Sequence, residues 1–293
     1  MQRLHLVDVF AERRYAGNPL AVVIGDTPLP EATMQAVAAE IDYSETCFVV
    51  PHPEADGGYR VRLFTPAREI AFAGHPILGT AAVLRRHLAL PAGAALRLNL
   101  SIGPVPVSFE MPDRGPEVAW FRAPPVALAA TCERGPVAAA LGLDAADVDA
   151  QAPVQVLAAG TDALLVPLRG LAALRRARLD LTAYAPLAAR GLPPRVYLFC
   201  REPRDAGHDL SARFFFEARG LREDPATGNG AAFLGAYLLA HRLLPGDALA
   251  LRIGQGHEMG RPSLVRLQAR RAGPSVEIRV GGSVIPTVQG ELL

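Results

Sequence analysis

The sequence predicts an α+β protein of two pseudo-symmetric halves, each a curved β-sheet around a central helix. Three observations predict it. First, in residues 223–239 a turn-forming stretch, Asp224-Pro-Ala-Thr-Gly-Asn-Gly, feeds a segment that is apolar on nearly every face, the pattern of a helix buried all round. Second, the device occurs twice. Glu69 leads to Gly74-His75-Pro76 and then to the small, apolar residues 77–84, and Glu69 and Gly74 precede Glu223 and Gly228 by one common spacing. Third, β-rich runs surround both devices in the same order. Gly17-Asn-Pro-Leu-Ala-Val-Val is echoed by Gly160-Thr-Asp-Ala-Leu-Leu-Val, and residues 96–102 before Gly103 by residues 249–253 before Gly254-Gln-Gly. An early duplication accounts for this, as does convergent turn chemistry.

The elements follow in order. Residues 4–10 read as a strand and 19–24 as its hairpin partner. Residues 31–41 have helical spacing, with Met34, Val37, Ala38 and Ile41 on one face. Strands are expected at 47–50 and 59–65, then the first loop and its helix to about Leu88, with Pro76 in the first helical turn, where its missing N–H costs nothing. Residues 96–100 and 105–111 close this half. Prolines and glycines accumulate between Pro112 and Pro125, which places the domains at 1–115 and 116–293, with a few C-terminal residues packing back on the first. Residues 195–200, 213–216, 249–253, 263–268 and 276–280 read as the strands of the second half. The two halves are expected to face each other across a cleft.

Composition narrows the function. The 293 residues suffice for two cores, and half of them are hydrophobic, as in globular proteins. The formal charge is +1 and the basic residues are scattered, so neither nucleic acid nor an anionic membrane is an expected partner. The N-terminus shows no signal-peptide core and no run is suited to span a bilayer. Cys47, Cys132 and Cys200 are odd in number, widely spaced and without a CxxC, which fits a reducing cytoplasm and signals no zinc cage. The histidines have no metal-ligand spacing, and no metal site is expected. All 30 basic residues are arginine. Without lysine there is no amine for a Schiff base and no Walker-type site. The pairs Arg85-Arg86 and Arg175-Arg176 read as solvated helix faces.

Three residues are candidates for acid/base work. Glu45 stands at the edge of the apolar run 47–50, where an apolar wall disfavours the charged carboxyl and moves it toward proton transfer near neutrality. A Glu at a strand start is otherwise a surface residue. His75, in the first loop, can pass a proton or hydrogen-bond a substrate, or else cap its own helix. Asp224 opens the second loop and can hold His75 or substrate, or simply serve the turn. Both loops end at helix starts, whose free N–H groups bind anions such as a carboxylate.

Six blocks occur in a fixed order: Asn18-Pro-Leu-Ala-Val-Val, Ser44-Glu-Thr, Phe72-Ala-Gly-His-Pro, Gly160-Thr-Asp-Ala-Leu-Leu-Val-Pro-Leu, Glu223-Asp-Pro-Ala-Thr-Gly, and Gln255-Gly through Met259-Gly-Arg-Pro-Ser. Together they resemble the phenazine-biosynthesis PhzF-like family from near residue 7 to near residue 290. The resemblance implies the diaminopimelate-epimerase fold and a cofactor-independent isomerase, with no cofactor called for and a homodimer as the assembly. It further implies Glu45 as acid/base, His75 and Asp224 beside it, and substrate contacts from Asn18, Ser44, Gly74, Gly228, Asn229 and Gly230. In the phenazine enzyme of that family the substrate is trans-2,3-dihydro-3-hydroxyanthranilate. The related epimerases use a cysteine pair, and neither loop here holds a cysteine. Two positions depart from the pattern. Asn229-Gly230 replaces a common Ser-Ala, and Cys47 stands where Thr or Ala is usual, so the pocket and its substrate can differ.

The first expectation is an isomerase that moves a proton on a small carboxylate-bearing substrate. The alternatives are a non-catalytic carboxylate binder and an amino-acid epimerase or racemase, the latter through Cys47.

Overall fold

The apolar runs around the two loops fold into sheets with one shared pairing order. A computed structural model of the chain describes residues 1–218, 221–273 and 275–293. It divides into two units, Met1–Arg122 with Gly281–Leu293, and Ala123–Val280.

In the first unit β1 (Gln2–Val9), β2 (Asn18–Gly25), α1 (Glu31–Ile41), β3 (Thr46–Val49), β4 (Tyr59–Phe64), β5 (Glu69–Ile70), α2 (Gly74–His87), β6 (Leu96–Leu100), β7 (Gly103–Glu110) and β8 (Val118–Arg122) follow one another. β1 is antiparallel to β2, β2 parallel to β3, β3 antiparallel to β4, β4 parallel to β6, and β7 antiparallel to both β6 and β8. The last strand of the chain, Ser275–Leu292, pairs with β1 and with β8 and closes the sheet into an eight-stranded barrel. α2 fills that barrel, with ten of its 14 residues buried. Small residues let it fit: a Cβ on Gly79 would lie 2.4 Å from a Leu20 methyl and 2.9 Å from a Val9 methyl.

The second unit carries β9 (Ala127–Cys132), α3 (Arg134–Ala140), β10 (Val154–Ala159), β11 (Thr161–Leu168), α4 (Leu171–Arg176), α5 (Leu181–Ala189), β12 (Arg195–Cys200), β13 (Leu210–Ala218), β14 (Leu221–Asp224), α6 (Gly228–Ala240), β15 (Ala248–Gln255), β16 (Ser263–Ala272) and the beginning of β17 (Ser275–Leu292). Its pairings repeat the senses of the first unit. β10–β11 is antiparallel, β11–β12 parallel, β12–β13 antiparallel, β13–β15 parallel and β15–β16 antiparallel. α6 takes the place of α2, with 11 of its 13 residues buried.

The repeat extends to side chains. β5 folds back on β4, and β14 on β13, just ahead of each central helix. In the first hairpin the Arg62 guanidinium grips Glu69 through two bonds of 2.7 and 2.6 Å, and in the second Arg213 grips Glu223 through bonds of 2.8 and 2.7 Å. The two acids that led each loop in the sequence are thus fixed by bidentate arginines.

Several elements differ from the sequence expectation. The stretch read as a junction contains β8, four of whose five residues are buried although prolines flank it. Helices α3 and α5 were not expected, and α4 was marked only by the helix face of Arg175-Arg176. They are six to nine residues long and interrupted by Gly135-Pro136 and Pro186, too short for a periodic signal, and gain stability by sharing one apolar cluster with β10 to β13. The last strand does not stop at Val280. Gly281 and Gly282 continue it, with Trp120 and Phe10 lying against them; an added Cβ would meet these rings at 2.4 and 2.2 Å. Arg85 is not solvated: it pairs with Glu117 and lies 4.0 Å over the Phe109 ring.

Candidate active site

In the first unit the site is built by the ends of three elements. α1 ends at Asp42, whose left-handed conformation (φ 55°) turns the chain. Ser44 and Glu45, both half-buried, follow in that turn, and β3 begins at the buried Thr46. The apolar strand Thr46–Val49 therefore draws Glu45 toward the interior, and its side chain keeps only 16% of its exposure. Asn18, 1% exposed, begins β2, whose Ala21 is in parallel register with Thr46. Asn18 and Glu45 thus lie at the same ends of neighbouring strands.

His75 is the second residue of α2. It does not cap its helix: the N-cap residue, Ala73, has no side-chain oxygen to offer and no side chain caps this end. Instead the imidazole Nε2 lies 3.3 Å from Glu45 Oε2. This distance is that of an ion pair, but burial pulls the imidazole down to about 3, so the ring is neutral at pH 7. An ionised Glu45 would pull it the other way, and desolvation prevails. The contact is one of a carboxyl group with a neutral imidazole, which can hold or pass a proton without adding charge.

That neutrality has a consequence for stability. The unfolded chain's imidazole titrates near 6.5, whereas the folded one stays neutral to about pH 3, so between those values the unfolded state binds the extra proton. Stability from this group is complete above pH 6.5 and is lost as pH falls. Wild type is expected to lose about 2 kcal/mol more than His75→Gln between pH 7 and pH 5, at ~1.4 kcal/mol per unit. Urea unfolding at the two pH values checks this.

Cys47 lies under the same helix start. Burial pushes its thiol up to about 12, and its sulfur is 4.0 Å from the Pro76 carbonyl oxygen. A buried, protonated thiol is a poor base and nucleophile. Of the two groups, Glu45 is the one beside the imidazole.

In the second unit the loop between β14 and α6 is tied by side chains. Thr227 Oγ1 donates to Asp224 Oδ2 at 2.5 Å. Gln255, wholly buried, donates to the Asp224 carbonyl at 2.9 Å and to Thr227 Oγ1 at 3.1 Å, while its Oε1 accepts from the Thr227 amide at 3.3 Å. Gly228, Asn229 and Gly230 then form the first turn of α6, with no side chain capping it. Two helix starts, at Gly74 and Gly228, thus keep backbone N–H groups available to an anion. Among the described residues no cluster of three or more His, Cys, Asp or Glu is arranged to hold a metal ion, and no helix is long and apolar enough to cross a membrane.

The model of the phenazine biosynthesis-like protein family, PhzC-PhzF, matches residues 7–290. The chain belongs to this family. The PhzF-family chain is 37% identical to an uncharacterized isomerase of Mesorhizobium japonicum over 297 residues, covering 98% of this chain and 97% of that one. It is 34% identical to the trans-2,3-dihydro-3-hydroxyanthranilate isomerase of Pseudomonas aeruginosa, covering 99% of each. Among solved structures, a PhzF-family protein of Bacillus anthracis superposes with a TM-score of 0.89 at 24% identity, covering 100% of this chain and 99% of that one. A predicted epimerase of Pseudomonas aeruginosa superposes at 0.81 with 33% identity and the same coverage. The likeness reaches a probable proline racemase of Agrobacterium radiobacter in fold alone, with a TM-score of 0.65 at 14% identity, covering 100% of this chain and 93% of that one. The PhzF-family chain is therefore an isomerase with an epimerase-like fold.

Sequence reasoning singled out Glu45, His75 and Asp224 and missed Gln255 as the tie of the second loop. A buried glutamine between two glycines carries no signal of its own; only the motif that begins at Gln255 marked the position.

Proposed function

We propose that this isomerase relocates a proton on a small carboxylate-bearing substrate without a cofactor, with Glu45 as the acid/base. The observation that carries the reading is the shielded Glu45 carboxyl group 3.3 Å from an imidazole kept neutral by burial. Ionised Glu45 removes a proton from a substrate carbon, the electron pair of that C–H bond moves into the adjacent conjugated system, and the protonated Glu45 returns the proton to a second carbon. Atoms and charge balance within one substrate. His75, neutral, donates a hydrogen bond during the transfer. The proposed substrate contacts are Asn18, Ser44 and Gly74 in the first unit and Asp224, Gly228, Asn229 and Gly230 in the second, and the N–H groups of either helix start suit a carboxylate. Trans-2,3-dihydro-3-hydroxyanthranilate is the first candidate substrate, supported by the relative's activity. A cytoplasmic homodimer is proposed as the working form.

Incubating the protein in heavy water with that compound and a panel of amino-hydroxy acids tests the reading by mass spectrometry. Deuterium uptake or isomerisation is expected. Tight binding without any exchange would show a binder instead.

A further inference from the structure

Among the buried polar groups of the second unit, a tyrosine hydroxyl stands out. Tyr197 is the third residue of β12, fully buried, and its hydroxyl has no hydrogen-bond partner among the described residues. Buried tyrosines ordinarily find one. The same unit shows this: the Tyr184 hydroxyl donates to the Pro193 carbonyl at 2.6 Å, and that of Tyr237 to the Pro153 carbonyl at 2.5 Å.

The room for Tyr197 comes from α6. A Cβ on Gly230, the third residue of that helix, would lie 2.3 Å from Cδ2 and 2.4 Å from Cε2 of the ring. Gly230 is not among the glycines with positive φ, so it serves space rather than backbone conformation. The first unit shows what the position faces. Cys47 pairs with Leu63, the residue after Arg62, as Tyr197 pairs with Phe214, the residue after Arg213. Cys47 lies against Pro76, third in α2, as Tyr197 lies against Gly230, third in α6. The two side chains are counterparts beneath the first turns of the two central helices. The thiol there is satisfied by its neighbours; the phenol is not. Burial, and then the charge of Asp224, hold the phenol in its protonated form, so it acts as a donor.

We propose that Tyr197 is a substrate-binding residue whose O–H donates to an acceptor oxygen of the substrate at the start of α6, and that Gly230 exists to admit its ring. The enclosed setting is where such a contact discriminates most. The inference rests on the isomerase reading above and adds a specificity determinant to it.

The test measures binding of trans-2,3-dihydro-3-hydroxyanthranilate by calorimetry to Glu45→Gln and to Glu45→Gln/Tyr197→Phe, a background in which the compound persists. The second variant is expected to bind about tenfold more weakly. Tyr197→Phe alone should melt no lower than wild type, because it deletes a hydroxyl that serves no protein partner. Equal affinity in the two backgrounds overturns the inference and leaves the isomerase reading intact. Retained turnover in Glu45→Gln overturns the assignment of Glu45 and leaves Tyr197 to the binding comparison. If Glu45→Gln does not bind the compound, the proposed substrate is wrong and the melt decides: a lower melting temperature for Tyr197→Phe shows a hydroxyl that serves the fold and overturns the inference, while an unchanged or higher one supports it. Gly230→Ala, which drives the ring from its place, should melt lower than wild type and recover when Tyr197→Ala is added.

Discussion

Glu45→Gln is expected to lower turnover by roughly 100- to 10,000-fold while substrate binding changes little, the span that a single general acid/base contributes. Glutamine keeps the shape of the side chain and its contact with His75 but cannot take up a proton. The effect should therefore fall on kcat and on kcat/KM alike, the mark of an interaction made only in the transition state. Steady-state kinetics on the compound that exchanges deuterium gives the number. A variant with full activity would remove Glu45 from the mechanism and return attention to the other proton carriers of the first unit.

The second large effect lies in the hairpin clamps. Arg213 is 2% exposed, spans both carboxylate oxygens of Glu223, and donates to the Leu174 and Ala177 carbonyls at 2.9 Å each, with its guanidinium 4.6 Å from the Phe215 ring centroid. Arg213→Met strands a shielded carboxylate and two carbonyls together, and is expected to cost roughly 3–5 kcal/mol, which lowers the melting temperature by roughly 10 °C. The counterpart Arg62 makes the same bidentate contact with Glu69, adds Glu31, and is 27% exposed. Water screens that pair, so Arg62→Met is expected to cost under about 1 kcal/mol. Thermal melts of the two variants measure the contrast. Equal losses would show that burial does not govern these clamps.

The sequence exposed the fold where a device repeats. The paired loops, the helix at Glu31–Ile41 and the strands beside Gly17 and Gly160 were legible because apolar period and turn residues act locally. Glu45 and His75 were legible through motifs. Their contact, and the neutrality of His75, were not, because both follow from tertiary burial. The clamps were hidden for a related reason. Arg62 and Glu69 are seven residues apart, and Arg213 and Glu223 ten, spacings that mean nothing until a hairpin aligns them. Tyr197 in Arg195-Val-Tyr-Leu-Phe-Cys reads as one more strand aromatic. It is set apart by the absence of a Cβ at Gly230 and of a partner for the hydroxyl among the described residues.

The pairing of β1 with the end of β17 sets an order of events in biosynthesis. Gln2 is registered with Leu292, and Val9 with Val284. β1 meets its neighbour β2 early, but its other partner, the end of β17, is synthesised only after the rest of both units. Meanwhile its outer edge stays open to other strands. The second unit, residues 123–280, has no such debt to the C-terminus and can form while the first is still incomplete. Closure of the first barrel is then a late, long-range step, of the kind that slows folding.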